Sequence, residues 1–204
     1  MMHSPQKKNR KTFRQMNAII FIISLISATL LMLLSLVPLF KSSFVFFPPP
    51  SKDSWQYKVF WLLFRLMFIG LVILSFTSYN SAPVFNQFVR FLVWLPVLLL
   101  GFGLATYLSS QLGWANAHGE AKGLMVSGCY KWSRNPIYVS SLFGMLGWGL
   151  FVNSVYVYLL LGLWAIMYLI APFVEERWLE KTYGQDFLLY KSRVPRFLGI
   201  PSKN

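Results

Sequence analysis

Long runs without a charge, separated by short polar stretches, organise this chain. Ala18 to Phe40 is 23 residues with no charged side chain, enough at ~1.5 Å per residue to cross a hydrocarbon core of ~30 Å. The run outlasts the 7–15-residue apolar region of a secretory leader and no small-residue cleavage site follows, so a retained first span is expected. Lys41 to Lys58 then carries Pro48-Pro49-Pro50 and Ser51-Lys52-Asp53-Ser54, turn chemistry that reads as an extramembrane loop. A second span is predicted over 59–79, with Arg65 either snorkelling to the interface or facing the bundle interior. After a polar connection through Asn80, Asn86, Gln87 and Arg90 comes a third span, from Phe91 to about Ser109. The longest uncharged stretch, Asn135 to Val174, is 40 residues, about 60 Å as one helix, so two helices turning at Asn153-Ser154 fit better.

Five apolar segments follow, all helical because lipid offers the backbone no hydrogen bonds. The predicted fold is all-α: a polytopic transmembrane helix bundle with a cytoplasmic C-terminal amphipathic tail. It reads as a single membrane domain: a basic N-terminal tail (1–17), three spans (18–109), and a loop, helical hairpin and tail (110–201). No repeat of fixed period is visible.

Composition agrees. Of 204 residues 56% are hydrophobic and 12% charged, against roughly 25% charged in soluble domains. The net charge of +13 alone would allow a nucleic-acid partner. Its placement points to lipid headgroups instead, because Lys7, Lys8, Arg10, Lys11 and Arg14 precede the first span and Arg177, Lys181, Lys191, Arg193, Arg196 and Lys203 follow the last. Both ends thus ask to be cytoplasmic, yet five crossings put them on opposite sides. The single cysteine, Cys129, excludes an internal disulfide. His3 and His118 are the only histidines and no His-Glu-x-x-His occurs, so no metal site is expected.

Candidate chemistry gathers in two places. Glu175, Glu176, Glu180 and Asp186 emerge together from the last apolar run; a solvated amphipathic helix would explain them, but adjacent carboxylates at an anionic surface ask for cationic partners. Neighbours on a helix point ~100° apart, so Glu175 and Glu176 are expected to have different partners, a basic side chain for one and a bound cation for the other. The segment before the hairpin holds Tyr130, Trp132, Arg134, Asn135-Pro136 and Tyr138, with Pro136 at a helix start; its aromatics also suit an interfacial belt. His118 is the one side chain with a neutral-range pKa, against the plainer reading of a solvated loop histidine.

The order Gly128-Cys-Tyr-Lys-Trp-Ser-Arg-Asn-Pro-Ile-Tyr138, an apolar hairpin containing Gly147-Trp148, Glu175-Glu176-x-x-Leu179, Tyr183-Gly184, Tyr190 and Val194-Pro195-Arg196-Phe197 resembles the integral-membrane methyltransferases, which include isoprenylcysteine carboxyl methyltransferase and phospholipid methyltransferases. The resemblance covers about residues 95 to 201. It implies S-adenosyl-L-methionine as cofactor, a cytoplasmic-side pocket in a cell membrane, and a lipid-like or prenylated methyl acceptor drawn from the bilayer. Carried onto this sequence, Arg134, Asn135 and Tyr138 become the catalytic candidates and Glu175, Glu176, Tyr130 and Pro136 the cofactor-binding ones. Gly101-Phe102-Gly103 resembles the family's Gly-x-Gly, with a close helix contact as the equal alternative. Asn135 stands where the carboxyl methyltransferases usually carry histidine. A sterol-type lipid reductase and a non-catalytic membrane protein are the competing readings, separable from the first by which cofactor binds.

Overall fold

The computed structural model describes residues 5–41, 44–47, 49–82, 84–113 and 123–200, and of residues 5–10 the backbone course alone. His118 and Glu120, considered above, lie outside the described residues. Six helices account for the fold, with no strand among the described residues: α1 (Pro5–Phe40), α2 (Trp55–Thr77), α3 (Gln87–Leu112), α4 (Pro136–Val152), α5 (Val155–Tyr183) and α6 (Gln185–Arg193). α1, α2, α3 and α5 are each long and apolar enough to cross a membrane, and α4, at 17 residues, is a shorter apolar helix. The molecule is a polytopic helix bundle, as the runs of apolar residues predict.

Local chemistry sets the helix boundaries. Ser54 caps α2 by accepting the Tyr57 N–H at 3.2 Å, and Asn86 caps α3 by accepting that of Val89 at 2.9 Å, each satisfying an orphan donor of the first turn. Pro136 opens α4 at a position where its missing N–H costs nothing. Asn153 closes α4 in the left-handed conformation, φ 61°, and with Ser154 makes the two-residue turn expected there. α1 starts well before Ala18, because Lys, Arg and Gln sustain a helix outside the apolar run. In α3, Pro96 has no N–H for the Leu92 carbonyl, and the ladder widens to a π turn over Arg90–Trp94.

The helices alternate in direction. Asn17 of α1 donates to the Thr77 carbonyl at the end of α2, and the backbone of Asn80 and Ala82 donates to Val152 and Asn153 in the hairpin turn. At the other end Arg177 of α5 reaches the Pro38 and Leu39 carbonyls that close α1, an exposed cap on the negative end of that helix. The start of α1, the 78–86 connection and the hairpin turn therefore share one end. The 41–54 loop, the 123–135 connection, α6 and the tail share the other.

Between them Ala28, Met67, Leu71, Leu74, Met145, Val157, Leu160 and Trp164 form the buried core. Arg65 is exposed, which removes the bundle-interior alternative and leaves its stem along the apolar surface. Arg90 is 2% exposed. Its guanidinium donates to the Phe151 carbonyl from Nε and from one terminal nitrogen, at 2.9 and 2.6 Å, and to Asn80 from the other at 2.7 Å. A cation there closes the C-terminal end of α4.

Candidate active site

At the loop-rich end a cavity of about 380 Å³ opens between α1, α2, α5 and the 123–138 segment, a size usual for small-molecule sites. Its apolar wall comes from Met32, Leu36, Phe60 and Phe64, with Phe47 and Pro49 of the 41–54 loop above them. Phe47 stacks on Phe60 at 4.8 Å between centroids, tying that loop to the mouth. The polar wall comes from Arg134, Asn135, Tyr138, Glu175 and Glu176, with Tyr130 and Tyr190 beside them.

The two glutamates are treated oppositely. Glu176, 5% exposed, accepts from Arg134 at 2.8 Å and from Arg196 at 2.8 Å on each carboxylate oxygen, with the Lys191 ammonium 3.8 Å away. The carboxylate in turn holds the Arg196 guanidinium above its usual pKa. Arg134 spends its remaining terminal nitrogen on the Lys191 and Val194 carbonyls, both at 2.7 Å. Its backbone N–H goes to the Pro195 carbonyl at 2.9 Å, and the Asn135 amide donates to the Arg196 carbonyl at 2.9 Å. Arg196 also lies 3.9 Å from the centre of the Phe173 ring, a cation–π contact. Glu176 is thus the hub that straps the tail to the Arg134–Asn135 segment.

Glu175, one residue on and about 100° round the helix, points elsewhere. Tyr138 donates its hydroxyl to one Glu175 oxygen, and no cation among the described residues pairs with this carboxylate. The Tyr138 ring meets that of Tyr168 edge-on at 4.8 Å. Behind this pair Phe187, Tyr190 and Val194 of α6 and the tail pack on Tyr130, and the Tyr190 hydroxyl donates to the Tyr130 carbonyl at 2.7 Å. Burial raises both phenols well above their ordinary pKa, the nearby Tyr190, Glu175 and Cys129 adding to the rise at Tyr130, so both stay neutral at physiological pH.

The structure brings seven of the nine candidate residues to this end. Tyr130, Arg134, Asn135, Tyr138, Glu175 and Glu176 line the cavity, and Pro136 stands buried at the start of α4. Gly101 and Gly103 are not in the lining. A Cβ on Gly101 would fall 2.3 Å from the Gly144 nitrogen of α4, so this glycine permits a close helix crossing; Gly103 has open space around it. Arg134 is the second departure, since both its terminal nitrogens are committed within the protein. Trp132, read as a belt residue, is 61% exposed. Residues not counted as site candidates from sequence also reach the site: Arg196 and Lys191 through Glu176, and Tyr168 and Trp164 on the cavity wall. The sequence signal for Arg196 was its place in the Val-Pro-Arg-Phe tail.

The phospholipid methyltransferase family model matches residues 89–186, from the start of α3 into α6, and so spans the polar wall of the cavity. The match, over a little under half of the chain, supports a methyltransferase-like membrane protein, in line with its motif order. Among curated proteins it is similar to the cobalt-zinc-cadmium resistance protein CzcN of Cupriavidus metallidurans, 32% identical over 110 residues, which are 51% of this chain and 50% of that protein. The chain thus spans about half the length of that relative. No solved structure matches it.

Proposed function

We propose that this protein is an S-adenosyl-L-methionine-dependent methyltransferase that methylates a lipid-like or prenylated acceptor, of the isoprenylcysteine carboxylate or phospholipid headgroup type, at the cytoplasmic face of a cell membrane. The observation that carries the reading is the division of the glutamates: the neighbouring carboxylate is saturated by arginines, whereas Glu175 has no cation partner among the described residues. A sulfonium cofactor with an ammonium group fits that donor set. Glu175 would hold the ammonium or the ribose hydroxyls, and the Tyr138 and Tyr168 rings offer the π faces that attract a sulfonium. Tyr130 and Asn135 complete the polar wall, and the Glu176 hub keeps Arg134 and the tail in place behind it.

S-adenosyl-L-methionine supplies a methyl group bound to positive sulfur, ready for in-line displacement. The work left to the protein is orientation and exclusion of water, up to ~7–11 kcal/mol in favourable cases. The Tyr138–Glu175 hydrogen bond fixes both side chains, and the aromatic walls keep water from the reacting centre. The acceptor would enter laterally between helices and lie against Met32, Leu36 and Phe60, its apolar part in the bundle and its polar end near Glu175.

The test is incubation of the detergent-purified chain with labelled S-adenosyl-L-methionine and a total membrane lipid extract, followed by identification of the labelled product. Glu175→Gln should weaken S-adenosylhomocysteine binding by more than tenfold in calorimetry, 1.4 kcal/mol or more. No labelled lipid together with no homocysteine-nucleoside binding by the unaltered chain removes the proposal.

A further inference from the structure

The cavity continues well below Glu175. Trp164, Tyr168 and Glu175 stand at i, i+4 and i+11 of α5, within about 40° of one another round the helix axis, so a single face of the helix brings all three to the cavity. At ~1.5 Å per residue, Tyr168 lies about 10 Å deeper than Glu175 along that axis. The opposing wall at this depth, Met32, Phe60 and Phe64, is apolar.

The Tyr168 hydroxyl is the polar group at that depth, Ser35 of α1 lying about one turn from Met32 toward the mouth. Its ring is fixed by edge-on contacts with Tyr138 at 4.8 Å and with Trp164 at 5.7 Å. The Trp164 indole N–H faces the phenol oxygen without reaching hydrogen-bond geometry and has no other partner. No acceptor among the described residues takes the Tyr168 proton. A phenol in an apolar setting finds a hydrogen-bond partner when one can reach it, and a molecule filling the cavity is what can reach this one.

We infer that the Tyr168 hydroxyl donates to an oxygen, an ester carbonyl or a hydroxyl, carried by the lipid-like molecule in the cavity about 10 Å below the level of Glu175, with Trp164 as the positioning residue behind it. The inference rests on the methyltransferase reading and narrows its acceptor. A tail of hydrocarbon alone, as on a prenylated cysteine, leaves the hydroxyl unpaired, whereas a glycerol ester satisfies it. The subsite thus selects for an oxygen within the body of the ligand, independently of the group that receives the methyl.

The 204-residue chain in mild detergent is titrated with dimyristoyl phosphatidylethanolamine, with its dialkyl ether analogue, which lacks the carbonyls, and with S-farnesylcysteine, bound ligand being measured by native mass spectrometry. The ester should bind about tenfold more tightly than the ether. Tyr168→Phe should bring that ratio to near one and Trp164→Phe should reduce it, ester and ether being compared within each variant at a temperature where its own unfolding curve shows it folded. Equal binding of ester and ether by the unaltered chain, an unchanged ratio in Tyr168→Phe, or a preference for S-farnesylcysteine over the ester overturns the inference. Absence of S-adenosylhomocysteine binding by the unaltered chain overturns the methyl-transfer reading instead, and the ester-to-ether ratio still decides the subsite.

Discussion

Replacing Glu176 by glutamine keeps the side-chain shape and removes the charge that three cations share. The carboxylate accepts three N–H bonds at 2.8 Å, one from Arg134 and two from Arg196. Glutamine retains one acceptor oxygen and turns an NH2 toward a guanidinium, so at least one bond becomes a donor facing a donor. The Arg134 side chain is 8% exposed and would be left without its counter-charge, whereas that of Arg196 is 30% exposed and would recover part of its loss from water. At about 1.5–3 kcal/mol for a bond to a charged group, Arg134 contributes most of the cost and Arg196 about 1 kcal/mol, for a loss of about 3–4 kcal/mol in all, in the range for breaking a buried pair. For a chain of this size that lowers Tm by about 6–16 °C, readable by tryptophan fluorescence in mild detergent. Release of the strap should also expose Lys191 and Arg193 to trypsin. Arg196→Gln alone should lower Tm by only about 2–4 °C. If Glu176→Gln instead kept its Tm and tail protection while losing S-adenosylhomocysteine affinity, the carboxylate would face the ligand and the division between the glutamates would be wrong.

Arg90→Met removes the cation that closes α4 at the far end of the bundle and leaves the Phe151 carbonyl unpaired; the expected cost is about 2 kcal/mol, a Tm lower by about 4–8 °C, with S-adenosylhomocysteine affinity unchanged in calorimetry. Burial raises the Tyr130 and Tyr190 pKa above the unfolded value of 10.0, so above pH 10 the unfolded chain loses these protons first and stability falls as pH rises; Tyr190→Phe should flatten that fall in Tm measured from pH 9 to 11, and an unchanged slope would assign it to other groups. In a Cys129→Ser background, cysteines placed at Ser127 and Ser192 should resist an impermeant thiol reagent in intact cells and react after permeabilisation; labelling of either from outside would put the cavity on the wrong face of the membrane.

The apolar segments were legible in the sequence because burial in lipid demands uncharged runs of fixed length, a constraint that neighbours do not alter. The Asn153-Ser154 turn was legible for a related reason, since a 40-residue run cannot remain one helix in a bilayer. Arg90 was not. A charge just ahead of an apolar run reads as a boundary, and its burial depends on carbonyls near residue 151, which only the fold brings to it. The candidate site was legible as a set of residue types and not as a set of pairings. Helix geometry separated Glu175 from Glu176, but that Arg134 meets Glu176 across 42 positions and Arg196 meets it across 20 is a product of the hairpin returning and the tail folding back. Gly101 shows the same limit, because a glycine that admits a neighbouring helix and one that admits a cofactor look alike in sequence.

The conflict between two basic termini is weighed differently once the ends of the bundle are assigned. Five passes place the start of α1 with the hairpin turn, opposite the cavity. Arg90 belongs to that far end, but its guanidinium is spent on Phe151 and Asn80, so the basic sequence left to weigh there is that of the leader ahead of Ala18. At the cavity end Lys41, Lys52, Lys58, Lys131, Arg177, Lys181 and Arg193 stand within a few residues of helix ends, in addition to the arginines around Glu176. Orientation follows Lys and Arg close to the spans, and acidic residues contribute little, so the acidic cluster after α5 does not cancel this excess. The balance favours the cytoplasmic cavity end proposed above and requires the basic leader of α1 to be the weaker signal, which the labelling at Ser127 and Ser192 tests.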